Sequence, residues 1–316
     1  MLSGRERSHS TWTHNRDAPA AAWNRDIDVV RFTEALRRKH VVNALRRHRA
    51  FRSLLRAVDF PTWHSVAGVS GPVRLRWFQH ASYYLPTHGP EPEIAALMIA
   101  LVRTLTVRSF VDVGANMGYY TWLVADHADG EVEIHMFEPD AANESLARRT
   151  LARRRHDNVR LHPVAVSADD GEGVLYRDLD TGHRSSLVAA VATAGGVVTP
   201  TCRLDTVVPN PAPPVLVKID VEGAEEQVLL GASSLLAQEP VIVMECYHGG
   251  DDAAWRSLAA FAYRLFDAAT LGEATSATTN YLAVPQAVTD EELSRVADER
   301  ARMLHAPRLP RRADLP

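Results

Sequence analysis

The sequence predicts an α/β protein whose core is a doubly wound, mostly parallel β-sheet, preceded by an N-terminal extension of helix and β-hairpin. Three observations support this fold. From Ser109 onward, short apolar segments typical of strands alternate with segments that have helical spacing. The apolar segments are nearly continuous, as expected of strands that are buried on both faces. Several of them end in glycine or an acidic residue, and a parallel sheet collects such strand ends at one edge.

Composition excludes several classes of protein. Of the 316 residues, 46% are hydrophobic and 23% are charged, which is ordinary for a globular protein. The net charge of −4 gives no general attraction to nucleic acid. Cys202 and Cys246 are too few for a disulfide framework, which favours a reducing compartment. No stretch is apolar for long enough to span a bilayer, and residues 1–10 do not resemble a signal peptide. We therefore expect a cytoplasmic protein that contacts neither membrane nor nucleic acid.

The first 90 residues form an extension before the alternating region. Residues 1–25 are polar and lack periodicity, and we predict that they are disordered. Apolar positions from Asp26 to Val58 recur with helical spacing. The other face of this helix is either solvated or a docking surface for an acidic partner or anionic substrate. Alternation around Val73–Trp77 predicts a β-hairpin, which completes an extension over residues 26–90. We expect this extension on the lid or acceptor side of the site, with residues 61–90 and 178–200 forming the lid. The basic residues of the helix are Arg37, Arg38, Lys39, Arg46, Arg47, Arg49, Arg52 and Arg56.

The core domain is predicted over residues 91–290, and a helix with a disordered tail over 291–316. A helix over 91–105 leads into the first core strand. Residues 178–200 are a loop long enough to have a function, and 204–208 form a short edge element. Strands are predicted at 110–114, 132–138, 159–166, 173–177, 215–220, 240–246, 262–268 and 279–284. Further helices are predicted at 119–127, 140–154, 224–237 and 252–260.

Two motifs predict a cofactor that contains adenosine. Residues 110–118, Phe-Val-Asp-Val-Gly-Ala-Asn-Met-Gly, describe a buried strand that ends in a glycine turn before a helix. Gly114 and Gly118 allow the backbone to approach a ligand closely because they have no side chain. Glu138 ends the next strand, 24 residues after Gly114. A carboxylate at the end of the second strand is where an α/β nucleotide site holds a ribose.

Together with these motifs, other segments in the same order resemble the FkbM-type methyltransferases. The resemblance covers about residues 91–285. It implies a Rossmann-like, class I fold whose seven-stranded sheet has an antiparallel edge made by its last two strands. It also implies S-adenosylmethionine as the cofactor and a hydroxyl group of a sugar, polyketide or other natural product as the acceptor. The segments that carry the resemblance are 110–121, 137–140, 164–167, 204–205, 218–225, 229–232 and 244–248.

The first two motifs would hold the methionine and ribose portions of this cofactor. The backbone of residues 114–116 would lie against the methionine portion, and Asp112 would orient its ammonium group, directly or through water. Asn116 also suits a purely local turn role. Glu138 would accept hydrogen bonds from both ribose hydroxyls, each contributing about 1.5–3 kcal/mol when charge-assisted. Its alternative role is to cap the following helix.

The later strand ends would complete the cofactor site. Ala165 and Val166 would flank the adenine or simply fill the sheet core, and Ser167 would meet the adenine edge or start a turn. Asp220 would lie near the sulfonium. The predicted cofactor-binding residues are therefore Asp112, Gly114, Ala115, Asn116, Gly118, Glu138, Pro139, Ala165, Val166, Ser167 and Asp220.

The predicted catalytic residues are Asp220, Glu222 and His248. Asp220 ends the predicted strand 215–220, and Glu222 follows it within the segment 218–225. Polar side chains at this strand end suit a cleft better than a core. Glu222 would accept a hydrogen bond from the acceptor hydroxyl or help to start a helix, and Lys218 would pair with one of the carboxylates. His248 follows strand 240–246 at the same edge, so it is our first candidate for the general base. His183 and Tyr247 are alternatives.

Other readings of the same residues remain open. Carboxylates at 220, 222, 225 and 245 suit Mg²⁺, but spacing alone does not establish coordination, and we predict no metal. An NAD-dependent oxidoreductase would carry Gly-x-Gly-x-x-Gly after the first strand, which this chain lacks. A non-catalytic binding protein with the same fold would have no need of the polar cluster at 218–225. The sequence does not identify the acceptor or the oligomeric state.

Overall fold

The fold is described from a computed structural model over residues 59–177, 185–188, 196–246, 253–275 and 277–315. Three sets of predictions lie outside these ranges. They are the disordered N-terminus, the basic helix over 26–58, and the general-base candidates His183, Tyr247 and His248.

The described elements largely follow the predicted alternation of strand and helix. The strands are β1 (Pro61–Ser65), β2 (Pro72–Arg76), β3 (Ser109–Val113), β4 (Glu133–Phe137), β5 (Val159–His162), β6 (Ala165–Val166), β7 (Gly171–Arg177), β8 (Ser185–Ser186), β9 (Val197–Cys202), β10 (Val215–Ile219), β11 (Val241–Glu245), β12 (Arg264–Asp267) and β13 (Asn280–Val284). The helices are α1 (Ala81–Tyr84), α2 (Pro92–Thr104), α3 (Tyr119–His127), α4 (Ala141–Arg154), α5 (Leu204–Val207), α6 (Glu225–Leu230), α7 (Ser233–Leu236), α8 (Ala253–Ala260) and α9 (Asp290–His305), and a 3₁₀ turn follows at Arg312–Asp314.

A seven-stranded sheet with the order β12-β13-β11-β10-β3-β4-β5 forms the centre of the fold. From β11 to β5 all neighbours are parallel, with Val217 of β10 opposite both Val111 of β3 and Ile242 of β11. Strand β13 is antiparallel to both β11 and β12. The antiparallel edge implied by the resemblance is confirmed. Strand β12 is the edge strand, and β13 lies between β12 and β11.

Apolar layers cover both faces of this sheet. On one face, Phe110 of β3 packs in a cluster with residues of α2, α3 and α9, including Leu97 and Trp122. On the other face, Val111 packs in a cluster with residues of α6, α7 and α8, including Leu258. Strands β3 and β10 are buried along their whole length. Burial on both faces explains why the strand segments read as continuous apolar runs.

The predicted hairpin is present and packs on the first of these layers. Strand β1 pairs antiparallel with β2, and Val73 and Leu75 of β2 are buried in the same cluster as Leu97.

The residues after α9, for which we predicted disorder, also pack on this side. Leu309 is only 1% exposed, and its backbone N–H donates to the carbonyl oxygen of Thr87 at 3.2 Å. An apolar side chain between two prolines was the local sign of this packing.

Four element predictions need correction. The strand expected at 159–166 is two strands, and β6 joins a separate four-stranded sheet with the order β6-β9-β7-β8. Pro163 lies at the break, where it cannot donate a ladder hydrogen bond. The helix expected at 224–237 is α6 and α7, interrupted at Gly231, where a Cβ atom would lie 2.0 Å from the Ser167 carbonyl oxygen. The edge element at 204–208 is the helical turn α5, and β9 begins inside the predicted loop 178–200.

Candidate functional site

The carboxyl ends of β3, β4, β10 and β11 surround a cavity of about 460 Å³. This is the edge at which ligands bind in open parallel sheets. The structure therefore brings most of the predicted site residues to one place. Those that line the cavity are Gly114, Ala115, Asn116, Glu138, Pro139, Ala165, Val166, Asp220 and Glu222.

Gly114 lies in the turn directly after β3, where it lines the cavity. Its φ is +78°, and a Cβ atom there would lie 1.9 Å from the backbone oxygen of Asp220. The amides of Gly114 and Ala115 both donate to the Phe137 carbonyl, at 3.1 and 3.0 Å. The backbone at the end of β10 leaves no room for a side chain at position 114, whether or not a ligand is bound. The turn is held between the ends of β3, β4 and β10.

Gly118 and Ser167 do not line the cavity, contrary to prediction. Gly118 precedes α3 with φ +89°, and a Cβ atom there would lie 2.8 Å from the indole nitrogen of Trp122. The amide of Ser167 donates to the carbonyl of Cys202 at 2.8 Å, and its own carbonyl faces Gly231. Both residues therefore shape the walls behind the cavity instead of its surface.

Glu138 ends β4 and connects the two predicted cofactor motifs. It is 4% exposed, and its Oε2 accepts a hydrogen bond from the amide of Asn116 at 2.7 Å. Its Oε1 accepts from the amide of Asp140 at 2.8 Å. Burial raises the pKa of Glu138 to about 8, while the two amide donors act in the opposite direction. The helix cap considered for Glu138 is provided instead by Asp140, whose Oδ1 accepts from the amide of Ala142 at 2.8 Å.

Asn116 offers the cavity an acceptor that has no partner among the described residues. Its φ is +55°, a conformation that asparagine tolerates better than most side chains. Its Oδ1 is buried and receives no hydrogen bond from any described residue. Since buried polar atoms are normally paired, this oxygen marks a place for a ligand donor.

Asp112 lies behind the cavity and not on its surface. The side chain is 1% exposed, and its Oδ2 accepts a hydrogen bond from the Thr121 hydroxyl at 2.7 Å. Burial raises the pKa of Asp112 to about 6, against the effects of the Thr121 hydroxyl and the Lys218 ammonium. Asp112 is therefore not part of the cavity wall, and its role in orienting the ligand ammonium, directly or through water, stays a prediction. In a strand buried on both faces, the sequence does not show which way a side chain points.

Lys218 is buried beneath the carboxylates at the end of β10. It is 1% exposed, lies opposite Asp112 in the sheet, and places Nζ 3.4 Å from Oδ2 of Asp220. Burial acts to lower its pKa, but four carboxylates, those of Asp220, Glu91, Glu245 and Asp112, leave it raised. Its predicted pairing with a carboxylate is confirmed, so Lys218 is a charged partner of the site rather than part of its surface.

A second group of cavity residues was not named individually, although Tyr83 lies in the extension that we predicted on the lid or acceptor side. Glu91, just before α2, accepts a hydrogen bond at Oε2 from the Tyr120 hydroxyl at 2.8 Å. Tyr83 and Tyr119 line the same side, with ring centroids 5.4 Å apart. Burial, reinforced by Glu91, raises the pKa of each of these tyrosines, so they stay neutral. Tyr119 and Tyr120 directly follow the glycine motif, whereas nothing local in the sequence indicates Glu91 or Tyr83.

Two kinds of feature are absent from the described part of the chain. No group of three or more His, Cys, Asp or Glu side chains within it is arranged to hold a metal ion. None of its helices combines the length and the apolar character needed to cross a membrane.

The sheet, its one reversed strand and the cavity at the carboxyl edge define a class I, Rossmann-like methyltransferase fold. The family model of the FkbM methyltransferase domain matches residues 112–269, which is half of the chain. The protein belongs to this family of methyltransferases. A search of curated proteins finds no match to the chain.

Solved structures with a similar fold are distant. An FkbM methyltransferase from Methylobacillus flagellatus KT is 17% identical with a TM-score of 0.40, over 56% of this chain and 44% of that one. This chain therefore spans less than half of that protein. A precorrin-6y C5,15-methyltransferase from Geobacter metallireducens GS-15 is 16% identical with a TM-score of 0.38, over 62% and 89%. An O-methyltransferase from Bacillus cereus, in complex with S-adenosylhomocysteine, is 14% identical with a TM-score of 0.38, over 64% and 84%.

Proposed function

We propose that the protein uses S-adenosylmethionine to methylate a hydroxyl group of a small molecule, such as a sugar, polyketide or other natural product. The observation that carries the proposal is the hydrogen bond between Glu138 and the amide of Asn116 at the cavity wall. It joins the two motifs from which the cofactor was predicted. Membership of the FkbM methyltransferase family supports the same reaction class.

The cavity residues fit the cofactor. Each Glu138 oxygen accepts one backbone N–H, and the Asn143 side chain also forms a hydrogen bond with this carboxylate, which leaves a lone pair for a ribose hydroxyl. The Oδ1 of Asn116, which has no partner among the described residues, is an acceptor for the ammonium of the methionine portion. Ala165 and Val166 are small and apolar, as a surface against adenine requires. The glycine turn brings the backbone at residue 114 to the surface of the cavity.

The protein's contribution is mainly to position the acceptor. When bound, the cofactor supplies a methyl group that is already activated by its sulfonium. Asp220, held by Lys218, places negative charge at the end of β10. Glu222 lies next to it on the cavity surface and can accept a hydrogen bond from the acceptor. Holding the acceptor oxygen in line can supply about 7–11 kcal/mol of the barrier reduction.

Calorimetric titration with S-adenosylhomocysteine, with NAD⁺ in parallel, tests the cofactor class. We expect S-adenosylhomocysteine alone to bind. Binding of NAD⁺ alone would replace the proposal with an oxidoreductase. Transfer of labelled methyl groups to a panel of hydroxylated sugars and polyketides would then test the reaction, and cofactor binding without any transfer would favour a non-catalytic binding protein.

A further inference from the structure

Glu245 is a cavity carboxylate that no described residue pairs with a hydrogen bond. It is the last residue of β11 and lines the cavity beside Asp220 and Glu222. None of the described residues donates a hydrogen bond to its side chain. By contrast, Glu91 accepts from Tyr120, and Asp220 is paired with Lys218. A partly buried carboxylate is costly to leave unpaired, so the lack of a hydrogen bond from any described residue points to a role with a ligand.

The groups around Glu245 make it a proton acceptor near neutral pH. Asp220, Glu222 and Glu91 face it from the end of β10, the following loop and the segment before α2. Lys218 is the cation among the described residues that opposes their effect. Burial and then the Asp220 charge raise the pKa of Glu245 to about 8. A base is most effective when its pKa is close to the working pH.

We propose that Glu245 is the general base that accepts the proton of the acceptor hydroxyl during methyl transfer. This proposal rests on the function proposed above. The bond between the acceptor oxygen and the methyl carbon forms as the bond from that carbon to sulfur breaks. The electron pair of the broken bond stays on sulfur, which becomes a neutral thioether. The hydroxyl proton moves to a carboxylate oxygen of Glu245.

Asp220 is a weaker candidate for the same role, although it lines the same cavity. Its carboxylate lies 3.4 Å from the ammonium of Lys218, so this ion pair already engages one of its oxygens. The carboxylate of Glu138 already accepts hydrogen bonds from the amides of Asn116 and Asp140. Glu245 therefore lines the cavity and has two carboxylate oxygens that accept no hydrogen bond from any described residue.

The assignment can be tested before the acceptor is known, by counting the protons that the protein releases when it binds the cofactor or its product. S-adenosylmethionine carries a positive sulfonium, whereas S-adenosylhomocysteine has a neutral sulfur. Calorimetry at pH 8 in buffers of different ionisation enthalpy gives the number of protons released with each. We expect greater release with S-adenosylmethionine, because the sulfonium favours the Glu245 carboxylate. Glu245→Gln should lose this excess, and Glu245→Asp should retain it. Glu226→Gln, an exposed carboxylate of α6, should behave as wild type.

Each outcome decides the proposal. An equal excess of protons in wild type and Glu245→Gln would overturn the role of Glu245 while leaving the proposed function intact. Failure of wild type to bind either compound would overturn the proposed function, and the general base with it. Once an acceptor is found, Glu245→Gln should lower turnover by about 10²–10⁴-fold. Unchanged turnover in that variant would also overturn the proposal.

Discussion

The amide nitrogen of Asn116 lies 2.7 Å from Oε2 of Glu138, although the two residues are 22 positions apart in the chain. This contact ties the turn after β3 to the end of β4. Because the Asp140 amide donates to the other oxygen of the same carboxylate, Glu138 holds the start of the segment before α4 as well. One buried side chain thus connects two segments of the cavity wall, in addition to the backbone bonds from Gly114 and Ala115 to the Phe137 carbonyl.

Replacing Glu138 with alanine should weaken binding of S-adenosylhomocysteine about 10- to 100-fold. Loss of charge-assisted hydrogen bonds costs about 1.5–3 kcal/mol, and each 1.4 kcal/mol is about a factor of ten. Calorimetry measures the affinity directly. Glu144→Ala is the matched control, since Glu144 pairs with Arg148 on α4 and does not line the cavity. Unchanged affinity in Glu138→Ala would exclude the ribose role.

The ligand-free protein should become less stable as the pH rises from about 6.5 to about 8. The native pKa of Glu138 is about 8 against an ordinary value of 4.5, so the folded state holds a proton that the unfolded state has lost. Glu245 acts in the same direction. Histidines such as His162, whose pKa burial lowers to about 4, increase stability with pH only up to their ordinary value of 6.5. Above that value the glutamates act unopposed.

Thermal unfolding at pH 6.5, 7, 7.5 and 8 measures this slope. Glu138→Gln should flatten it, because glutamine does not titrate. Glu144→Gln again serves as the control, with the slope of the wild type. A wild-type melting temperature that rises across this range would show that Glu138 is ionised in the folded protein at neutral pH.

Gly114→Ala should destabilise the fold by about 2–5 kcal/mol, the sum of left-handed backbone strain and overpacking. The added methyl carbon would lie 1.9 Å from the Asp220 carbonyl oxygen, at a φ of +78°. Chemical denaturation gives the free energy of unfolding. Gly272→Ala is the control, because its Cβ atom would meet only the Thr270 hydroxyl at 3.4 Å. Similar losses in both variants would show that the turn after β3 has room to adjust.

Gly114 also shows how far the sequence determines the site. The glycine turn and the acidic strand end were predictable, because strand, glycine and carboxylate follow one another locally. The reason for glycine was not predictable, since the atom that excludes a side chain belongs to Asp220, which follows β10 and is distant in the chain. Gly118 is similar, because its space is occupied by Trp122. Local patterns indicate a tight approach but do not identify what approaches.

The remaining errors have related causes. Alternation cannot assign a direction to Asp112, because both faces of β3 are buried. Tyr83 and Glu91 reach the cavity from segments before the sheet, and no periodic pattern connects them with it. The break between α6 and α7 depends on the Ser167 carbonyl against Gly231, a contact between distant segments. The order of strands was predictable because parallel connections leave few arrangements.

Asp220→Asn should lower the free energy of unfolding by about 2–4 kcal/mol, less than for a fully buried ion pair because Asp220 is 28% exposed. The cause is Lys218, which remains buried without its nearest carboxylate. Adding Lys218→Met to this variant should restore part of the stability, since the buried cation is gone, while Asp112 and Glu245 lose its favourable charge. It should not restore binding of S-adenosylmethionine, because Asp220 is still absent. Recovery of both properties would show that Asp220 serves only to stabilise Lys218.

The pH dependence of turnover should distinguish Glu245 from His248 as the general base. Whichever residue accepts the proton must be deprotonated, so wild-type turnover should rise about tenfold per pH unit below the pKa of the base. Glu245 lines the cavity, accepts no hydrogen bond from any described residue, and has a pKa of about 8 before the cofactor binds. We expect Glu245→Gln to lose the rise and His248→Ala to keep it. Because the sulfonium lowers the pKa of any nearby base, the midpoint of the pH profile alone does not identify the residue. The comparison of the two variants identifies it. A flat profile in His248→Ala, with the rise intact in Glu245→Gln, would assign the proton to His248.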